Sequence, residues 1–292
     1  MIEKSKFYHF LDEKNQFILR FIDGQALLSD IALLHAGQGP DEATRFSFFR
    51  DFILSSVHLL SYLKHHESMG LFIDSDRPFY RFKIELHEVG ALRTLIQTGT
   101  KDDAQELDSK KVSAGIRLVK FSPHQSTPYT THLEVDEMDS KELINYVLET
   151  SYQVQAHVLV SEKTDQSLLL MKLPKPSKKE TTVDISLKEY LLKYKKDLQE
   201  LISKNYQSEE EVQKSFNENP NLQSLQYLYG KEVEFRCSCS KKQMLAGIST
   251  LAMTEGLDDI FDGKETLETT CDYCHSKYEI WRNEVDSTSK QH

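Results

Sequence analysis

Cysteine is absent from the first 236 of the 292 residues; the four that exist stand in the last quarter, as Cys237-x-Cys239 and Cys271-x-x-Cys274. No stretch approaches the 18 or more apolar residues that a membrane helix needs, so nothing is expected to span a bilayer. The opening MIEKSKFYHF has no uninterrupted apolar run and does not read as a signal peptide. Basic residues are outnumbered, 36 Lys and Arg against 46 Asp and Glu, for a formal charge of -10. That balance disfavours a general nucleic-acid or anionic-membrane binder, because phosphate binding relies on Lys and Arg. No Gly-rich phosphate loop of the Walker type, no Ser-His-Asp arrangement and no carboxylate pair with catalytic spacing is present, so the chain does not read as an enzyme or an ATPase. The compartment these absences suggest is the cytosol, where thiols stay reduced and closely spaced cysteines bind metal or do redox chemistry.

What is there is ordinary for a globular protein, 39% apolar and 28% charged, and 292 residues favour more than one domain. Residues 1–173 read as an α+β domain with a mixed or antiparallel sheet and packed helices. Phe17 to Ile22 is a β-prone run, and Leu27, Ile31 and Leu34 give a helix that stops at Gly37. Phe49, Phe52, Ile53, Val57, Leu60 and Leu63 recur at helical intervals and predict one long helix over 42–66, with Gly70 as a stop. The aromatic cluster Phe46, Phe48, Phe49 and Phe52 is expected in the core, and His65-His66 as a solvated pair near the helix end. Alternation predicts strands at Tyr80–Leu86, Ile116–Phe121 and Val154–Val160, with Ser167–Leu173 beside the last. Residues 101–111 read as a charged loop, and Ser140 to Leu148 as a further helix.

A boundary falls at Pro174-Lys-Pro176. Residues 174–231 are rich in Lys and acid and hold no arginine. Two capping boxes, Ser186-x-x-Glu189 and Ser208-x-x-Glu211, announce two helices. The first carries a narrow stripe, Leu187, Leu191, Tyr194, Leu198 and Leu201; the second carries Val212 and Phe216 and ends at Asn219-Pro220. Helices of this length are marginal alone, so this segment is a linker that folds only against something else. The stripe is either packing surface for the N-terminal domain or, in another state, a surface for client proteins. Residues 232–286 form a last unit too small for a self-sufficient core, and 287–292 read as a disordered tail.

Four thiolates in two close pairs fit zinc, which takes tetrahedral sulfur ligands. Cys237, Cys239, Cys271 and Cys274 are therefore the expected ligands of one zinc ion. The 31-residue loop between the pairs holds a helical pattern (Leu245, Ile248, Leu251, Ala252), a turn at Asp262-Gly263 and, after the second pair, a strand KYEIW. Arg236, Lys241 and Lys242 lie beside the first pair and are expected to favour its thiolates. His275 adjoins Cys274 and could compete as a ligand, but with four thiols already present it is not expected to bind. On spacing alone the site is either purely structural, as in a zinc ribbon, or redox-active; a thiol oxidoreductase using Cys271 and Cys274 is a further possibility, weakened by the strand that follows.

The sequence Glu234-Phe235-Arg236-Cys237-Ser238-Cys239-Ser240, with Cys271-Asp-Tyr-Cys274 after 31 residues and Tyr278 beyond, resembles the C-terminal domain of the heat shock protein 33 family. These are redox-regulated holdase chaperones of the bacterial cytosol. The order of elements along the rest of the chain is also similar. Where family members carry a Gly-rich turn after the first central strand, this chain has Asp74-Ser-Asp76-Arg-Pro78. The resemblance implies that the reduced cysteines hold zinc. Oxidation then pairs Cys237 with Cys239 and Cys271 with Cys274. The small domain and linker unfold without ATP, apolar surface is offered to unfolding clients, and the activated protein dimerises.

Overall fold

The computed structural model describes residues 3–35, 42–99, 107, 111–174, 185–222 and 224–289. The expected 101–111 loop, apart from Leu107 and Lys111, and the Pro176 boundary lie outside the described residues, as do Gly37 and the last three residues of the tail.

The chain forms two compact units, 1–235 and 236–292. In the first, β1 (Lys6–Asp12) and β2 (Phe17–Asp23) make a hairpin, followed by α1 (Gln25–His35) and α2 (Glu42–Ser56). Then come β3 (Ser68–Asp76), β4 (Phe79–His87), β5 (Ala91–Thr98), β6 (Lys111–Phe121) and β7 (Tyr129–Asp139). A short helix α3 (Leu143–Val147) leads to β8 (Ala156–Val160) and β9 (Gln166–Lys172). Two helices, α4 (Leu187–Leu201) and α5 (Glu209–Asn217), precede β10 (Leu225–Glu232) and β11 (Glu234–Phe235).

These strands build two sheets. One has five strands in the order β10-β1-β2-β9-β8, antiparallel throughout. The other has six in the order β11-β5-β4-β3-β6-β7, with β11 parallel to β5 and the rest antiparallel. The main core joins Phe7 and Ile22 of the first sheet to Leu71, Phe82 and Ile84 of the second through α1 and the Phe48, Phe49 and Phe52 rings of α2. The aromatic cluster is core, as expected. A second core lies on the opposite face of the five-stranded sheet. There Tyr8, Phe10, Phe17, Leu19 and Phe21 meet Tyr190, Tyr194, Leu198 and Leu201 of α4 and Val212 and Phe216 of α5. The five-stranded sheet is thus covered on both faces, which is why its strands β1 and β9 are buried along most of their length.

The linker helices therefore lean on this sheet. α4 is closed by the full capping box: Ser186 Oγ accepts from the Glu189 N–H, and Glu189 Oε2 accepts from the Ser186 N–H at 2.7 Å. At α5, Ser208 Oγ accepts from the Glu211 N–H, while Glu211 reaches back one residue further, to the Gln207 N–H at 2.8 Å.

The long helix expected over 42–66 is shorter. α2 ends at Ser56, a 3-10 turn covers Val57–Tyr62, and Gly70 lies within β3. Gly70 does not stop a helix but pairs within β3, which bonds to β4 and β6 on both its edges. The strand expected at 154–160 begins at Ala156. At the other end of the linker, residues 225–232 are a sheet strand paired with β1.

Candidate metal centre

The second unit contains α6 (Lys241–Glu255), α7 (Leu257–Phe261), the antiparallel hairpin β12 (Thr266–Thr270) and β13 (Lys277–Trp281), and α8 (Arg282–Ser289). The first three residues of the expected tail, 287–289, lie within α8. The core is slight: Ile248, Phe261, Ile280 and Val285 are the buried apolar side chains, with Met244, Leu245, Leu267 and Tyr278 packed around them. Such a core rarely holds a unit of this size without a metal or cross-link.

Two turns deliver the cysteines. Cys237 and Cys239 lie in the irregular stretch between β11 and α6, whose N-cap Ser240 accepts the Gln243 N–H. The partial positive charge of a helix N-terminus favours a thiolate placed there. Cys271 and Cys274 sit in the tip between β12 and β13. The Cys271 N–H donates to the Ser276 carbonyl at 2.9 Å, and the His275 N–H donates to the Cys271 carbonyl at 2.8 Å. His275 takes a left-handed φ of 56° to close this turn.

The four sulfurs lie within 4.8 Å of one another. The contacts across the two pairs are 3.7 Å for Cys237–Cys271 and 3.3 Å for Cys239–Cys274. In a tetrahedron with Zn–S bonds of 2.3 Å, neighbouring sulfurs stand about 3.8 Å apart. The donor set and its spacing therefore fit a tetrathiolate metal site, and the residues that would hold the ion are the four expected from sequence. Cys271 is buried and the other three are half-buried. His275 is not among the clustered groups. The Lys241 ammonium pairs with Glu284 at 2.8 Å.

Two hydroxyls address the sulfurs, a feature the cysteine spacing does not announce. Tyr278 Oη lies 3.1 Å from Cys239 Sγ, and Ser276 Oγ lies 3.2 Å from Cys274 Sγ. Ser276 lies in the hairpin tip two residues after Cys274, and Tyr278 is the second residue of β13. Partial burial works against ionisation of Cys274. Hydrogen bonds with the Ser276 side chain and backbone, with Cys239 and Cys237 adding to them, outweigh it and bring that thiol to about 6. Burial raises Cys239, opposed by its bond with Tyr278. That bond in turn pushes the Tyr278 phenol up to about 12.

Comparison with known proteins now decides the family. The Hsp33 protein family profile matches residues 5–281. The chain belongs to the Hsp33 family. Among its relatives, the 33 kDa chaperonin of Prochlorococcus marinus (strain MIT 9515) is 25% identical over 262 residues, 81% of this chain and 84% of that one. The 33 kDa chaperonin of Aquifex aeolicus is 25% identical over 258 residues, 80% of this chain and 75% of its own. That of Thermosipho melanesiensis is 25% identical over 167 residues, so the match spans about half of each protein, 54%. The crystal structure of the Thermotoga maritima 33 kDa chaperonin, a heat shock protein 33 homologue, superposes with a TM-score of 0.68 at 12% identity, covering 99% of this chain and 98% of that one. The family is one of chaperones, not enzymes. No helix among the described residues is long and apolar enough to cross a membrane.

The stripe read from sequence packs on the five-stranded sheet. Tyr194, Leu198 and Leu201 are buried against the sheet, and Leu187 and Leu191 are packed at the edge of that core. Sequence reasoning missed Asp12, which ties this contact together. It is fully buried, and its carboxylate accepts from Tyr190 Oη at 2.9 Å, Ser224 Oγ at 2.7 Å, the Asn15 N–H at 3.0 Å and Asn15 Nδ2 at 2.8 Å. One carboxylate thus joins the β1–β2 turn, α4 and the chain entering β10.

Proposed function

We propose that this Hsp33-family chaperone is an ATP-independent holdase of the cytosol, switched by oxidation of Cys237, Cys239, Cys271 and Cys274. The observation that carries the proposal is the convergence of four sulfurs at tetrahedral spacing in a unit with little core of its own. In the reduced state the four thiolates would hold one zinc ion, which supplies a cross-link between the two turns and, for a unit this small, folding free energy of roughly 10 kcal/mol or more.

The residues then suggest an order of events. Cys274, half-buried at the hairpin tip beside Ser276, attacks a peroxide and forms a sulfenic acid with loss of water or alcohol. Cys271 attacks that sulfur, a second water leaves, and the Cys271–Cys274 disulfide closes. Cys237 and Cys239 pair in the same way at the expense of a second peroxide. With no thiolates left to cross-link its turns, residues 232–286 lose their fold. The linker, 174–231, is continuous in chain with that unit and loosens with it under heat. Release of α4 and α5 would bare Phe10, Phe17, Leu19 and Phe21 of the sheet together with Leu187, Leu191, Tyr194, Leu198 and Leu201 of the stripe, surface suited to unfolding clients. It is equally suited to a second copy, and we propose that the oxidised protein is a homodimer. A dithiol oxidoreductase is a poorer reading, since Cys271 and Cys274 occupy a hairpin tip rather than the start of a helix.

The test treats reduced, zinc-loaded protein with peroxide at raised temperature. Metal release, free thiols and aggregation of a heat-denatured client are followed on one sample. One zinc and all four thiols should disappear as protection of the client appears. Loss of zinc and thiols with no protection would leave a purely structural zinc site and end the holdase reading.

A further inference from the structure

We propose that His65, His66 and Glu88 form a second metal site, on the first unit and open to solvent, that takes a borderline divalent cation such as nickel or zinc. The three side chains offer two imidazole nitrogens and one carboxylate oxygen, all within 4.8 Å of one another. His65 Nδ1 already lies 3.3 Å from Glu88 Oε1, and the His65 and His66 ring centroids are 3.7 Å apart. Donors held about 2.1 Å from one ion are at most ~4.2 Å apart, so the widest pair needs to close by no more than about half an ångström. Both rings are exposed and free to make that adjustment.

The backbone beneath the site is fixed rather than loose. His66 adopts a left-handed φ of 62°, which turns two adjacent residues toward one side of the chain. Its N–H donates to Glu88 Oε1 at 3.2 Å. The turn is closed by the Glu67 N–H on the Lys64 carbonyl and the Lys64 N–H on Glu67 Oε2. Lys120 holds that same carboxylate at 2.7 Å. Glu88 is tethered on its own side by its N–H on the Glu67 carbonyl, and its carbonyl accepts from Lys231 Nζ. The two segments that bring the ligands are therefore bonded to each other without the metal.

The chemistry of the set selects the ion. Two imidazoles suit zinc, nickel and copper and not magnesium or calcium, which prefer oxygen ligands. Three protein ligands on a surface leave positions for water, unlike the closed tetrathiolate set of the second unit. The site owes nothing to the cysteines and stands whether or not they respond to oxidants.

Nickel is the probe. Reduced protein carrying zinc at its cysteines is titrated calorimetrically with Ni2+, and zinc is measured in the same sample. One further equivalent should bind while the zinc content stays constant. The double variant His65→Ala, His66→Ala should lose that equivalent. Glu88→Gln should weaken it by about tenfold or more, since loss of even an outer-shell partner costs that much. Glu88→Gln keeps a near-identical shape and guards against a folding defect in the double variant. No uptake by the native chain, unchanged uptake by the double variant, or nickel uptake matched by zinc loss would each overturn the proposal.

Discussion

Leu198 offers a direct test of whether the linker is the element that responds. It is fully buried between α4 and the five-stranded sheet. Truncation to alanine removes three heavy atoms from a closed contact and leaves a cavity, at a cost of about 3 kcal/mol. α4 has 15 residues and little stability of its own, so the cost falls on its docking. At 1.4 kcal/mol per factor of ten, the undocked population rises about a hundredfold. Spread over a unit of this size, the same 3 kcal/mol lowers the temperature at which the linker loosens by ~10 °C. The oxidised Leu198→Ala protein should therefore protect a heat-denatured client from a temperature lower by that amount. Amides of α4 should exchange faster by the same hundredfold. Leu192 is the control, on the same helix but 79% exposed; Leu192→Ala should change neither quantity. If Leu198→Ala speeds exchange and yet leaves the activation temperature where it was, the linker is not the responding element.

Further outcomes follow from other contacts. Tyr278→Phe removes the hydroxyl 3.1 Å from Cys239 Sγ and should lower zinc affinity by about tenfold in competition with a chromogenic chelator; unchanged affinity would mean that the hydroxyl does not support the thiolate. Asp12→Ala leaves Tyr190 Oη and Asn15 without their buried acceptor and should cost ~3 kcal/mol in urea unfolding, with α4 exchange accelerated more than that of β4. His58 is buried with Nδ1 unpartnered; the Ser167 hydroxyl donates to the Leu54 carbonyl, so His58 Nε2–H donates to Ser167 Oγ at 2.9 Å. Burial, with Arg20 and His9 adding to it, lowers this imidazole to about 3 from an ordinary 6.5. The unfolded chain binds a proton that the folded one refuses, so stability is whole above pH 6.5 and is lost as pH falls toward 3, by up to ~4 kcal/mol. His58→Gln should flatten urea midpoints across that window, and an equally steep decline in the variant would assign the acid sensitivity elsewhere.

The cysteine centre was legible because chemistry fixes it locally: two close pairs and a small unit need no tertiary knowledge to suggest a tetrathiolate. The Ser186-x-x-Glu189 box was legible for the same reason, since its bonds close within one turn. In the five-stranded sheet, β2, β8 and β9 were read from sequence, but β1 and β10 were harder. β1 reads KFYHFLD, apolar in immediate succession, because Phe7 faces one core while Tyr8 and Phe10 face the other. A strand covered on both faces loses the period-two signal that identified β4. β10 was hidden in a segment read by its charge, and its partner β1 stands more than 200 residues away. No local pattern carries such a pairing.

The stripe on α4 shows where this limit bears on function. Its spacing told that a helix would form and that one face would be apolar, but not what covers that face. The cover is the outer face of the strands that also build the main core, so docking of the linker and integrity of the sheet depend on the same strands: Phe17, Leu19 and Phe21 of β2 meet the linker helices while Ile22 of that strand faces the main core. Asp12 makes the dependence chemical. A lone acid closing an apolar strand is costly to bury unless it is fully bonded. Here its bonds are completed by Tyr190 from α4 and Ser224 from the chain before β10. Undocking α4 leaves that carboxylate short of a donor and open to water at once. The contact therefore comes apart as a unit rather than residue by residue, which is the behaviour a linker must have if its release is to act as a switch.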